Sequence, residues 1–210
     1  MAWLASSPVD TTKEKIKSRV QIEKLKAEID SNYPKVRLIR NISNQGCYLN
    51  KFIAVGQCKS EFVIIFDSDN VMCKEYLDAL FLYAPFDERT IYAPDFLKPH
   101  FDYTKFSGLT INRSNVAEIA KKPLFDCVVN SCNYVVPRLE FCNTFDVGAR
   151  RYADDTAYIN LRWLQAGNQI YIVPNMQYDH EVHSGSHYQK YAVESQSRLE
   201  DIIFQFKTMS

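Results

Sequence analysis

Residues 62–70, FVIIFDSDN, set five apolar side chains in a row and then two aspartates around one serine. A strand that is apolar at every position has no face to give to water, so it must be covered on both sides. That is the condition of a strand inside a parallel sheet flanked by helices, and it sets the fold class as α/β. The neighbouring stretches alternate to match. AWLASS (2–7) and VRLIRN (36–41) read as strands. Between them Thr11-x-x-Glu14 offers a capping box, and Ile16, Val20, Leu25 and Ile29 give a helical stripe. NQGCYLNKFIAVGQCKS (44–60) and CKEYLDALFLYA (73–84) read as helices on either side of FVIIF. This order implies right-handed crossovers and a mostly parallel central sheet within one compact domain.

The second half is less regular. IYAPDFL (91–97), DCVVNSCNYVV (126–136) and NQIYIVP (168–174) read as strands. ADDTAYINLRWLQAG (153–167) reads as a helix, acidic at its start and with Gly167 just past its end. The tail, 188–207, reads as helical, and residues 98–123 show no usable periodicity.

Composition narrows the partners. With 25 basic and 25 acidic residues among 210, no charge excess points to nucleic acid or to an anionic membrane. Hydrophobic residues at 46% suffice for a core. The six cysteines (Cys47, Cys58, Cys73, Cys127, Cys132, Cys142) show no C-x-x-C pair, which suits free thiols in a reducing, cytoplasmic compartment. No signal-peptide pattern and no run of 18 apolar residues is present, so no transmembrane segment is expected. The final stretch, YAVESQSRLEDIIFQFKTMS, has no obvious closing element and suits one part of a longer, multidomain chain.

Ligands of such sheets bind beyond the carboxyl ends of the strands, here Ser6–Pro8, Arg40–Asn41 and Asp67–Asp69. Asp67 and Asp69, two residues apart on an extended chain, face the same way. They repel each other unless a cation lies close by, and hard oxygens suit Mg²⁺ or Mn²⁺. The plainer alternative is a polar turn after a strand. Three of the four histidines fall in DHEVHSGSH (179–187). Imidazole is a ligand for Mn²⁺ or Zn²⁺. Either one of these histidines meets the metal at Asp67 and Asp69, or the segment is a solvated loop or a zinc site of its own. Asp154-Asp155 opens a helix, where one acid can cap and the other can serve as a general base. Trp163, Tyr134 and Phe141 flank that pair, as core residues or as a platform for a sugar ring.

Taken in order, these elements resemble the GT-A fold glycosyltransferases, above all the inverting family 2 type. The residues concerned are the N-x-G turn Asn44-Gln45-Gly46, the strand ending in Asp67-x-Asp69, Phe145-Asp146, the pair Asp154-Asp155, a helix ending in Gly167, a strand ending in Pro174, and His180. The likeness spans roughly residues 36–187. It departs at the start, where only AWLASS and one helix precede VRLIRN, and at Lys51-Phe52, where the family often has Arg-Asn. Its compactness resembles virus-encoded domains of this type, whose compartment would be the host cytoplasm.

The resemblance implies a UDP-sugar donor, a carbohydrate or glycoprotein acceptor, inversion, and Mn²⁺ or Mg²⁺. It implies metal binding by Asp67 and Asp69 with His180 or His183, and His187 as a further rival. It makes Asp155 the base and Asp154 its fallback, and puts Ser6, Ser7, Arg40, Lys51, Asp67 and Ser68 at the donor. Residues 1–97 would form the donor half and 98–210 the acceptor half. Three other readings compete: a nucleotidyltransferase, for which ASSPVD (5–10) lacks the glycine-rich phosphate loop; an inactive nucleotide-sugar-binding domain; and a hydrolytic metalloenzyme, which needs more ligands close together than the sequence offers.

Overall fold

The structure, a computed structural model, describes residues 2–3, 24, 36–181 and 187–209. Near the start, β1 (Ala2–Trp3) and β2 (Arg37–Leu38) pair in parallel as a separate two-stranded sheet. Of the helix expected between them only residue 24 is described, and it is helical; the rest lies outside the described residues, as do Ser6, Ser7 and His183.

The central sheet comprises β3 (Phe62–Ile64), β4 (Thr90–Lys98), β5 (Phe101–Asp102), β6 (Thr110–Ile111), β7 (Val135–Pro137) and β8 (Gln169–Asp179). Their spatial order is β3-β7-β4-β8-β6, with β5 beside β4. The two long strands, β4 and β8, pair in parallel. β3 points the same way, because both it and β4 run antiparallel to the short β7 between them. With β5 and β6 also antiparallel, the sheet is mostly but not purely parallel.

The helices are α1 (Gly46–Gly56), α2 (Lys74–Phe81), α3 (Val116–Ile119), α4 (Phe125–Asn130), α5 (Arg138–Thr144), α6 (Asp155–Gln165) and α7 (His187–Thr208). α2 packs on β8, while α4 and α7 pack on α6. Trp163, Tyr134 and Phe141 are all buried, so the aromatics around the acid pair are core rather than a sugar platform. The indole N–H of Trp163 donates to the carbonyl of Gln169 at 2.8 Å and so ties α6 to the start of β8. No disulfide joins the six cysteines. No helix among the described residues is long and apolar enough to cross a membrane.

One expected strand is overturned. Residues 126–136 form helix α4 and then, after a turn, β7. Their valines suit a strand, but tertiary contacts override that preference. Asn130 donates to the carbonyl of Ala153 at 2.8 Å and accepts from the N–H of Ala157 at 3.1 Å. Asn160 donates to the carbonyl of Val129 at 2.8 Å. Both contacts need α4 coiled against the N-terminal half of α6. The stretch 98–123 proves to hold β5, a 3-10 turn at Thr104–Phe106, β6 and α3.

Along α7, burial alternates sharply. Phe206 is fully buried and meets Phe125 edge to face, with ring centroids 5.4 Å apart. Phe204 stays 65% exposed. Phe206→Ala is therefore expected to destabilise the fold by about 3–5 kcal/mol. Phe204→Ala should stay within about 0.5 kcal/mol of the parent. Urea unfolding of the two variants measures the contrast.

Candidate active site

The site is built from four chain segments. The first is the turn Asn44-Gln45-Gly46, where the Asn44 side chain accepts the Gly46 N–H at 2.9 Å. Gly46 adopts φ +73°, a left-handed value that costs a residue with a Cβ roughly 1–2 kcal/mol. This turn starts α1 and sets the phase of Lys51 within it. On the same helix, Tyr48 and Phe52 stack against Phe145 at 4.3 and 4.9 Å. They hold α1 beside the segment that leads into α6.

The second segment is the end of β3. The Asp67 N–H donates to the side-chain oxygen of Asn133 at 2.6 Å. Asn133 is buried, adopts φ +65°, and receives the Tyr76 hydroxyl on its carbonyl at 2.7 Å. A short polar side chain tolerates that left-handed backbone better than most. Asn133 thus fixes where the first aspartate of D-S-D points. Sequence reasoning missed it, although an asparagine between two apolar runs is a turn signal.

The third segment is the end of β8. Val71 and Asp179 exchange backbone hydrogen bonds, both at 3.0 Å, and the Asn70 side chain accepts the Glu181 N–H at 3.0 Å. The Asp67–Asn70 turn is thereby zipped to His180, more than a hundred residues later. The His180 N–H donates to the carbonyl of Lys98. Its ring packs against His100 at 5.4 Å and Phe101 at 5.5 Å. Burial lowers the His180 pKa, as does His100, while Asp69 and Glu181 oppose the shift. Its Nδ1 is buried with no hydrogen-bond partner among the described residues.

The fourth segment opens α6, and here the adjacent acids part. Asp154 is fully buried. It accepts from Arg151 at 3.1 Å and from the Tyr152 N–H at 3.2 Å, and pairs with Arg198 at 3.5 Å. That removes it as a fallback base, because its charge is spent on two guanidinium groups. Asp155 accepts the Thr156 N–H on one oxygen at 2.8 Å and the Lys51 ammonium on the other at 2.5 Å. The two side chains of this pair are 11% and 10% exposed.

Around the pair lie Asp67, Cys132 and Cys47, all within electrostatic reach of Lys51. Burial alone would lower the Lys51 pKa, but Asp155, helped by Asp67, holds it well above the ordinary lysine range. Asp67 keeps solvent access, yet the dense protein around it raises its pKa. Asp155 and Asp69 raise it further, and Lys51 pulls against them. Burial also raises the thiols of Cys47, to about 12, and Cys132. Both stay protonated at neutral pH, which excludes them as nucleophiles. The Tyr134 hydroxyl, beside the same charges, is buried without a partner among the described residues.

Of the expected residues, the structure therefore gathers Lys51, Asp67, Asp69, Asp155 and His180 into one region. Ser68 is exposed within the turn. Arg40 is exposed after β2 and makes no ion pair among the described residues. His187 is the first residue of α7, and its side chain lies outside what the structure describes. Among the described residues, no group of three or more His, Cys, Asp or Glu side chains can hold an ion unaided. Asp69 with His180 and its unpartnered Nδ1 still suits Mn²⁺ or Mg²⁺ that takes its remaining ligands from phosphate oxygens and water.

Comparison with known proteins fits this geometry. The family model described as glycosyl transferase family 2 matches residues 6–130, more than half of the chain. No curated protein sequence matches. Among solved structures, S. aureus TarS 1-349 is similar at TM-score 0.59 and 13% identity, covering 98% of this chain and 60% of that one. TarS 1-349 in complex with UDP-GlcNAc gives TM-score 0.55 and 12% identity, covering 89% and 59%. GalNAc-T7 with UDP, GalNAc and Mn²⁺ gives TM-score 0.51 and 12% identity, covering 97% and 44%. This chain thus spans about three-fifths of TarS 1-349, and at such identities the likeness is one of fold.

The raised pKa of Asp67 has a stability consequence. A carboxyl whose native pKa lies above its unfolded value, about 3.9, adds stability that is fully present at pH below that value. The contribution is lost as pH rises through the native pKa, and at neutral pH the ionised group strains the fold. Asp67→Asn should therefore raise the melting temperature at pH 7. The gain should vanish below about pH 4, where wild-type Asp67 is also neutral. Thermal scans at the two pH values test both statements.

Proposed function

Because the chain belongs to glycosyl transferase family 2, we propose that it is a metal-dependent glycosyltransferase that moves a hexose from a UDP-sugar to an acceptor hydroxyl with inversion. One observation carries the reading. The D-x-D turn at the end of β3 and Asp155 of the Asp154-Asp155 pair meet through Lys51, with His180 zipped to the same turn. Donor and acceptor chemistry need that adjacency, since the attacking oxygen must approach the anomeric carbon from the side opposite the leaving diphosphate.

The roles follow from position. Asp69 and His180 hold the cation, with Asp67 at its side or on the ribose. Mn²⁺ or Mg²⁺ held there would offset charge on a diphosphate leaving group. Lys51 and Ser68 face the donor, with Ser6, Ser7 and Arg40 as further candidates. The Asp155 carboxylate accepts the proton of the acceptor hydroxyl as the new glycosidic bond forms. Asp154 keeps the start of α6 in place through Arg151 and Arg198. Residues 1–97 supply most donor contacts and residues 98–210 the acceptor side, a carbohydrate or glycoprotein. Support for the donor comes from TarS solved with UDP-GlcNAc and from GalNAc-T7 solved with UDP, GalNAc and Mn²⁺. The absence of disulfides fits a reducing compartment such as the cytoplasm.

Calorimetric titration of UDP tests the donor site. Binding is expected with Mn²⁺, and it should be lost with EDTA and in Asp69→Ala. A wild-type protein that binds no UDP in either buffer defeats the reading. With an acceptor in hand, Asp155→Ala should lower transfer at least about 100-fold while nucleotide binding survives.

A further inference from the structure

Lys51 sits between the two functional halves of the site. Its ammonium touches Asp155 at 2.5 Å and acts electrostatically on Asp67, the first acid of the D-x-D turn. It projects from α1, whose phase is fixed by the Gly46 turn, while Asp155 is the first residue of α6. As the structure stands, the Asp155 oxygens are occupied by Lys51 and by the Thr156 N–H and hydroxyl. A hydroxyl that is to give its proton to Asp155 must compete with the Lys51 ammonium for the Asp155 Oδ2. A base so held is idle unless something draws the ammonium away.

We propose that Lys51 is a positioning residue that exchanges partners: it holds Asp155 idle in the empty enzyme, and moves to the diphosphate when the donor binds, releasing Asp155 to accept the acceptor proton. This deepens the donor-site reading and rests on it. The exchange breaks one ion pair and forms another, and it leaves the Asp155 carboxylate without its ammonium only once the donor is in place. A diphosphate has more negative charge than a carboxylate and presents several acceptor oxygens to an ammonium. Any acceptor entering first finds an inactive base. In this way the order of events, donor before proton transfer, is built into one side chain.

The exchange predicts a coupling readable by binding alone. In wild type the donor must compete with Asp155 for Lys51, so Asp155→Asn should tighten Mn²⁺-dependent UDP binding by at least about fivefold. Lys51→Met should weaken it by at least about tenfold. In the Lys51→Met background, Asp155→Asn should no longer tighten binding, whereas Lys51→Arg should restore the gain. Calorimetry on the four proteins of the Lys51→Met cycle and on the two Lys51→Arg proteins, each checked for folding by circular dichroism, completes the test.

Equal tightening in both backgrounds would mean that Asp155 acts only through its field, and would overturn the exchange. An unchanged affinity in Asp155→Asn overturns it as well, and that arm suffices if Lys51→Met fails to fold. Wild-type protein that binds no UDP sinks the donor site itself and the exchange with it. UDP binding without the Lys51 dependence sinks the exchange alone.

Discussion

The parallel ladder between β4 and β8 is the constraint on which the rest of the site depends. β4 spans Thr90–Lys98, β8 spans Gln169–Asp179, and the ladder runs from Thr90 opposite Gln169 to Lys98 opposite Asp179. A register slip of one residue would turn every side chain of one strand to the other face. The far end of the ladder places Asp179 against Val71 and His180 against Lys98. The D-x-D turn therefore takes its position from a strand laid down a hundred residues later. At the near end, Trp163 and Arg89 lock the entry of β8, and with it the helix that begins at Asp155. One ladder indexes both the donor turn and the start of α6.

The acid pair shows how two identical neighbours acquire different work. Successive residues at a helix start point about 100° apart, so they meet different surroundings. Asp154 turns into a fully buried niche between Arg151 and Arg198. Arg151 also lies over the Tyr158 ring at 3.7 Å, and Tyr158 donates to Asp146 at 2.8 Å. Losing one partner of such a buried pair costs about 3–5 kcal/mol, because a charge is left uncompensated. Asp155 faces one ammonium, and an ammonium on a flexible stem can leave. Two consecutive carboxylates thereby have different partners, two guanidinium groups for Asp154 and one ammonium for Asp155.

Much of the fold was legible because its signals are local. The apolar run before Asp67, the Asn44-Gln45-Gly46 turn and the acidic start of α6 each lie within a dozen residues, and each element forms there. What could not be read depends on distant partners. Residues 126–130 are helical because Asn130 and Asn160 join α4 to α6, a contact no window of sequence contains. β7 slips antiparallel between β3 and β4, which strand–helix alternation does not foretell. In the site, the aspartates of D-x-D were apparent, but the Lys51–Asp155 pair joins residues 104 apart. Asn133 escaped notice because its role lies in a left-handed backbone and one hydrogen bond to Asp67. The removal of Asp154 from chemistry rests on Arg198, from the last helix.

Charge at the site supports the proposed cation independently of any family likeness. The chain as a whole is neutral, with 25 acidic and 25 basic residues. Locally, Asp67, Asp69 and Asp155 act on one another or on their neighbours, and Lys51 is the ammonium that faces two of them. Three carboxylates against one ammonium leave two negative charges; burial raises the Asp67 pKa first, and Asp155 and Asp69 add to it against the pull of Lys51. A diphosphate approaching such a surface meets repulsion, so a site with these residues alone is a poor anion receptor. A divalent cation beside Asp69 and His180 reverses the sign of the local field and supplies coordination positions for phosphate oxygens. Among the described residues, Lys51 is the cation that an ion pair places on Asp155, and that pair offsets part of the excess.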